Sequence, residues 1–98
     1  MTAPRAGRTL LLVARIPQPG VAAFQQYEAT VLPLLADHGG TLERRLRNAD
    51  GTFEAHVVHF SSEAALDRYR ADPRRAAAHP LLLDSAATLE VTVVDDVD

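Results

Sequence analysis

The stretch Thr41-Leu42-Glu43-Arg44-Arg45-Leu46-Arg47, Asn48-Ala49-Asp50-Gly51, Thr52-Phe53-Glu54-Ala55-His56-Val57-Val58-His59-Phe60 decides the fold. Asp50-Gly51 stands between two runs that favour extended backbone. Aspartate bonds to its own backbone, and glycine adopts positive φ without steric cost, so the pair reads as a hairpin turn. The spacing predicts a strand over 41–47 and its returning partner over 52–60. Working outward, each side of this hairpin carries one helical pattern and then one more strand.

Upstream, Phe24, Tyr27, Val31, Leu34 and Leu35 recur at spacings of three and four, as on one face of a helix. His38-Gly39-Gly40 supplies a glycine stop, and Pro33 predicts a kink or break, because proline removes a backbone donor. Before that helix, Thr9 to Ile16 is rich in leucine and β-branched residues and ends at Pro17-Gln18-Pro19-Gly20, which reads as a strand and its terminator. Downstream, Ser61-Ser62-Glu63 offers hydroxyl caps and an early carboxylate to a second helix. Ala65, Leu66 and Tyr69 form its buried stripe, and Asp72-Pro73 ends it. Arg74 to Ala78 reads as a short turn leading to a loop at His79-Pro80. In the final strand, Thr88 to Val94, Leu89, Val91 and Val93 alternate with Glu90 and Thr92.

The order βαββαβ predicts an α+β, ferredoxin-like antiparallel sheet with its helices on one face. Leu10 to Ala14 and Val57 to Phe60 are apolar on both faces, so a lone domain would leave hydrophobic sheet in water. A homodimer closing a dimeric α+β barrel is the expected remedy. Residues 1–8 are expected to be a flexible N-terminus, 9–94 the domain and 95–98 an acidic tail, where Asp95, Asp96 and Asp98 resemble a metal cluster only in composition.

The 98 residues support one modest core. Absence of cysteine removes disulfides, thiolate zinc sites and cysteine nucleophiles, and suits a reducing, cytoplasmic setting. The apolar run at Leu10 to Ala14 is too short for a signal core or a membrane span. A net charge of −3, with arginine as the sole basic residue type, argues against nucleic acid. Arginine without lysine, beside abundant alanine and aspartate, suggests a GC-rich bacterial genome. The βαββαβ order also serves RNA-binding modules, but the first strand here lacks their stacking aromatic.

Taken together, Phe24-Gln25-Gln26-Tyr27, Val31-Leu32-Pro33-Leu34-Leu35 with His38-Gly39-Gly40, Phe60-Ser61-Ser62-Glu63-Ala64-Ala65 and Tyr69-Arg70-Ala71-Asp72-Pro73 resemble the small bacterial dimeric α+β-barrel proteins of unknown function. The likeness runs from Leu10 to about Val94. Their superfamily includes antibiotic-biosynthesis monooxygenases, muconolactone isomerase-like enzymes, EthD-like proteins and haem-degrading monooxygenases. The resemblance implies the fold, the dimer and a cleft between helices and sheet. It carries no chemistry residue by residue. Quinone-forming and haem-degrading members commonly rely on a tryptophan, which this sequence lacks.

Within such a cleft, Tyr27, His56, His59 and His79 are the expected proton-active groups, each competing with a structural reading. His56 and His59, three apart on a strand, point to opposite faces and cannot share one metal ion, and no metal or cofactor is expected. His38, at a helix C-terminus, reads as structural. Phe24 and Phe60 are expected to wall the site. Strict alternation places Arg44 with Leu42 and Leu46, from where an inward guanidinium could hold a substrate anion, and sends Arg45 and Arg47 to the other face. The expected function is a small-molecule-binding protein, as a cofactor-independent oxygenase, isomerase or cyclase acting on a small hydrophobic or aromatic metabolite. The alternative is a non-catalytic dimeric ligand-binding or structural protein.

Overall fold

A computed structural model describes residues 5–97. Strand β1 spans Arg8–Arg15, helix α1 Val21–Val31, β2 Gly40–Arg47, β3 Phe53–Phe60, α2 Glu63–Arg70, α3 Pro73–Ser85 and β4 Thr88–Val94. The four strands pair antiparallel in the order β2-β3-β1-β4. This is the ferredoxin-like arrangement expected from the hairpin and its flanks. The expected N-terminus and acidic tail include residues 1–4 and 98, which lie outside the described residues.

Even-numbered positions of β1 and β3 face the helices. Leu10, Val58 and Phe60 meet Leu34, Leu35, Leu66 and Tyr69 in one buried cluster, while Ala14 packs with Ile16 and Phe24 in another. Phe60 is almost wholly buried, so its truncation to alanine would cost about 3–5 kcal/mol. Odd-numbered positions form the opposite face. There Leu11 pairs with Val57 and Val13 with Ala55. All four are only half-buried, and Leu46 beside them is exposed.

Pro33 acts as expected. Helix α1 stops at Val31 and the chain continues as a 3-10 segment, Leu32–His38, that ends at Gly39 with φ +68°. Only a residue without a Cβ enters that region freely. At the other end of α1, Gly20 lies so close to Ser85 that a Cβ there would collide with its backbone carbonyl. This contact seats α1 against the end of α3.

The expectation of a turn at Arg74–Ala78 and a loop at His79-Pro80 is overturned, because Pro73 opens a 13-residue helix, α3. Asp72 ends α2 but also caps α3, its carboxylate accepting the Arg74 N–H at 2.8 Å. Proline at the first helical position is a start signal as well as a stop. Pro80 then lies inside the helix, on its exposed side, where the freed carbonyl can bond to water. His79 is consequently a solvent-facing helical residue.

Candidate functional site

A cleft of about 140 Å³ runs between the sheet and the helices. Apolar side chains from β1, β3, α1, α2 and β4 make most of its wall, among them Leu10, Leu12, Val31, Val58, Leu66 and Val91. Leu89 and Val91 are the exposed apolar members, which puts the mouth along β4. Phe24 and Tyr27 also line it. Tyr69 closes one end, its hydroxyl donating to the Val31 carbonyl at 3.2 Å.

Charged and titratable groups interrupt this wall at Glu28, His56, Arg70 and Arg75. Glu28 falls on the buried stripe of α1 with Phe24, Tyr27 and Val31. His56 and Glu54 alternate on β3 and so share the helix-facing side with Val58 and Phe60. Glu28, Glu54 and His56 are all buried, and one ligand atom from each lies within 4.8 Å of the others.

Two guanidiniums hold this cluster from behind. Arg45 donates through Nη2 to Glu28 Oε1 at 3.1 Å and through Nε to Glu54 Oε1 at 3.3 Å. Arg47 donates through Nε to Glu54 Oε2 at 2.9 Å. They reach the helix side because β2 bulges between Leu42 and Arg44, which inserts Glu43 out of step. Arg45 then stands opposite His56 and Arg47 opposite Glu54, while Arg44 stands opposite Val57 on the uncovered face. The expectation that placed Arg44 with Leu42 is thereby corrected: the bulge shifts alternation by one, and Arg44 lies outside the cleft.

His56 Nε2 lies 2.9 Å from Glu54 Oε1 and 3.0 Å from Glu28 Oε2. One N–H cannot serve both, and the aligned bond goes to Glu54. Glu28 Oε2 is left buried with no hydrogen-bond partner among the described residues. Burial raises the Glu28 carboxyl, more than the His56 contact lowers it. Burial works the same way on Glu54, but its contacts with Glu28, His56 and Arg47 outweigh it and hold that carboxyl down at about 2. For His56, burial opposes the charged form, yet the proximity of the two carboxylates wins and the imidazole is raised. The cluster thus separates two carboxyls into one that stays ionised and one able to carry a proton, as acid and base roles require.

Of the residues expected from sequence, the cleft brings together Phe24, Tyr27 and His56. His56 and His59 do face opposite sides. His59 points to the uncovered face, its Nδ1 2.8 Å from Thr9 Oγ1. His79 is corrected from loop to helix, and His59, His79, Arg44 and Phe60 are absent from the cleft lining. Phe60 instead packs against Tyr69 within the core, the two rings tilted by 46°. Glu28, Glu54, Arg45 and Arg47 escaped the sequence reading. The available signals were a carboxylate on the apolar stripe of α1 and a Glu-x-His alternation leading into Val58 and Phe60.

Glu28, Glu54 and His56 also have the spacing of a metal-ligand set. Both carboxylates, however, are already ion-paired to arginines, so a dication would sit beside two fixed positive charges. The donor set fits proton transfer better than a metal.

Fold and site together define the class: a ferredoxin-like α+β domain with an acid–base cluster in a cleft between helices and sheet. Comparison with known proteins agrees at the level of fold. No family model and no curated protein matches the sequence. Among solved structures, SnoaB, a cofactor-independent oxygenase from Streptomyces nogalater, superposes with a TM-score of 0.75 at 17% identity, over 95% of this chain and 96% of that one. A Nitrosomonas europaea protein named as a candidate antibiotic biosynthesis monooxygenase gives 0.75 at 10% identity, over 97% and 95%. A Mycobacterium tuberculosis protein, Rv0793, gives 0.69 at 21% identity, over 93% and 96%. The chain has the fold of the antibiotic-biosynthesis monooxygenase-like proteins that its sequence resembles.

Proposed function

We propose that the cleft binds a small apolar or aromatic metabolite and that Glu28 Oε2 removes a proton from it. The observation that carries this reading is the buried Oε2, without a hydrogen bond, on a mostly apolar wall 3.0 Å from His56. A carboxyl raised by burial is a stronger base than one in water. Glu54, Arg45 and Arg47 act as positioning residues that hold Glu28 and His56 in place. Proton removal is the step shared by a cofactor-independent oxygenase, an isomerase and a cyclase, and the fold shared with a cofactor-independent oxygenase supports this group of activities.

The same reading includes a homodimer. The half-buried apolar pairs on the uncovered sheet face, Leu11 with Val57 and Val13 with Ala55, are the surface a second copy would cover. No helix among the described residues is long and apolar enough to cross a membrane. A cysteine-free chain suits the reducing cytoplasm of a bacterium, where we place it, with residues 9–94 as the working unit.

Phenylacetone in D₂O tests the chemistry, since it is neutral, carries one ring and has an exchangeable C–H. Proton NMR should show exchange faster than in buffer, falling by about 100-fold in Glu28→Gln at equal folded concentration. Equal rates in the two proteins would sink the catalytic reading. Binding without exchange would support the non-catalytic ligand-binding alternative.

A further inference from the structure

Two arginines line the cleft: Arg70, exposed at the end of α2, and Arg75, half-buried in the first turn of α3, which the Glu28–His56 cluster does not use. The Arg75 Nε is buried and has no hydrogen-bond partner among the described residues. No ion pair among those residues includes it. Its neighbours are aromatic instead: the guanidinium carbon stands 4.5 Å from the centre of the Tyr69 ring, and Nη2 lies 3.4 Å from the Tyr27 hydroxyl. A guanidinium cannot shed its proton to ease burial, so this half-buried cation, with only aromatic company, is left without a counter-charge among the described residues.

We propose that the ligand of this cleft is a one-ring carboxylic acid, its carboxylate held by Arg75 and its apolar body lying among Tyr27, Val31, Leu66 and Val91. The proposal rests on the cleft being the ligand site. A volume of about 140 Å³ is close to the roughly 150 Å³ of a cavity that admits benzene, so one ring is the natural fit. The fork of guanidinium donors matches the two oxygens of a carboxylate. Orientation follows from charge. The arginines of the Glu28–Glu54 cluster are already ion-paired, whereas Arg75 is not, so the carboxylate goes to Arg75 and the apolar body of the ligand extends along the wall that carries Glu28.

Benzoate and its neutral isostere benzamide separate this proposal from the cleft reading beneath it. Both are titrated at pH 7.5 into isotope-labelled wild-type protein, Arg75→Met and Arg75→Lys, following amide resonances of Tyr27, Val31 and Val91. Benzoate should bind the wild type roughly tenfold or more tightly than benzamide, the range of one charge-assisted contact. Arg75→Met should abolish that preference by weakening benzoate far more than benzamide, and Arg75→Lys should keep part of it. Equal affinities in the wild type, a comparison that needs no variant, would overturn the carboxylate assignment and leave the cleft intact as a site. A preference that survives in Arg75→Met would overturn it as well. If neither compound moves these resonances at about 20 mM, a concentration far above ordinary ligand affinities, the cleft reading falls and the proposal with it.

Discussion

Replacing Glu54 by Gln keeps the shape of the side chain and deletes a charge shared by two guanidiniums and an imidazole. Glu54 is fully buried and accepts from Arg45, Arg47 and His56. The amide oxygen can keep some of these bonds in ordinary form, while the amide nitrogen cannot accept and leaves at least one donor unpaired, a loss of about 1 kcal/mol per bond. Linkage leads to a similar figure: lowering a carboxyl from 4.5 to about 2 on folding contributes about 3 kcal/mol at neutral pH. Removing the charge also relieves Glu28, so about 3 kcal/mol is an upper bound and about 2 kcal/mol the working expectation. For a domain of 98 residues this lowers the Tm by roughly 10 °C at pH 7. The sign of the pH dependence follows from the depressed carboxyl. Its contribution is complete above pH 4.5 and is lost as pH falls toward 2, whereas Gln has nothing to lose. Urea unfolding followed by circular dichroism should therefore show the gap between wild type and Glu54→Gln narrowing to about 1 kcal/mol at pH 3. A gap under about 1 kcal/mol at pH 7, or one that stays constant to pH 3, would refute the ion-paired cluster.

Tyr27→Phe removes a hydroxyl whose contact with Arg75, at 3.4 Å, is long, so thermal melting should change by less than about 1 kcal/mol. The same change should weaken benzoate binding measurably, and a lower Tm with unaltered binding would return Tyr27 to a packing role. Pro80→Ala restores a backbone donor inside α3 on an exposed turn and should stabilise by about 1–3 kcal/mol, read as a higher melting temperature. An unchanged or lower value would show that the helix gains something from the proline. Val57→Asp places a charge in the middle of the uncovered sheet face. Sedimentation should find the wild type dimeric and the variant monomeric at micromolar concentration, and a monomeric wild type would remove the dimer from the proposal.

Much of the architecture is local in origin and therefore visible in the chain itself. Asp50-Gly51 makes the hairpin, Gly39 ends the segment after α1 in a left-handed conformation, and Ser62 caps α2 through its hydroxyl on the Ala65 N–H. Each of these depends on a few neighbouring residues. Helix α3 was missed because Asp72-Pro73 punctuates in both directions, and only the packing of α1 against α3, through Gly20 on Ser85 and Tyr27 with Val31 on Ala78, shows which direction prevails.

The site lies mostly beyond that local reach. The alternation of β3 was enough to put His56 and His59 on opposite faces, but not to say which face the helices cover. Glu28, Glu54 and the two arginines come from separate elements, α1, β3 and β2, and meet only once the sheet has formed. A single inserted residue in β2 decides the rest. Side chains alternate with a period of two, so the bulge at Glu43 reverses the facing of every residue after it, sending Arg44 away from the cleft and Arg45 and Arg47 into the cluster. Nothing in the residues of β2 marks that insertion, because the bulge is a property of its pairing with β3. Sequence alone therefore determined the elements and their order, while tertiary pairing decided which charges are buried together and so where a proton can move.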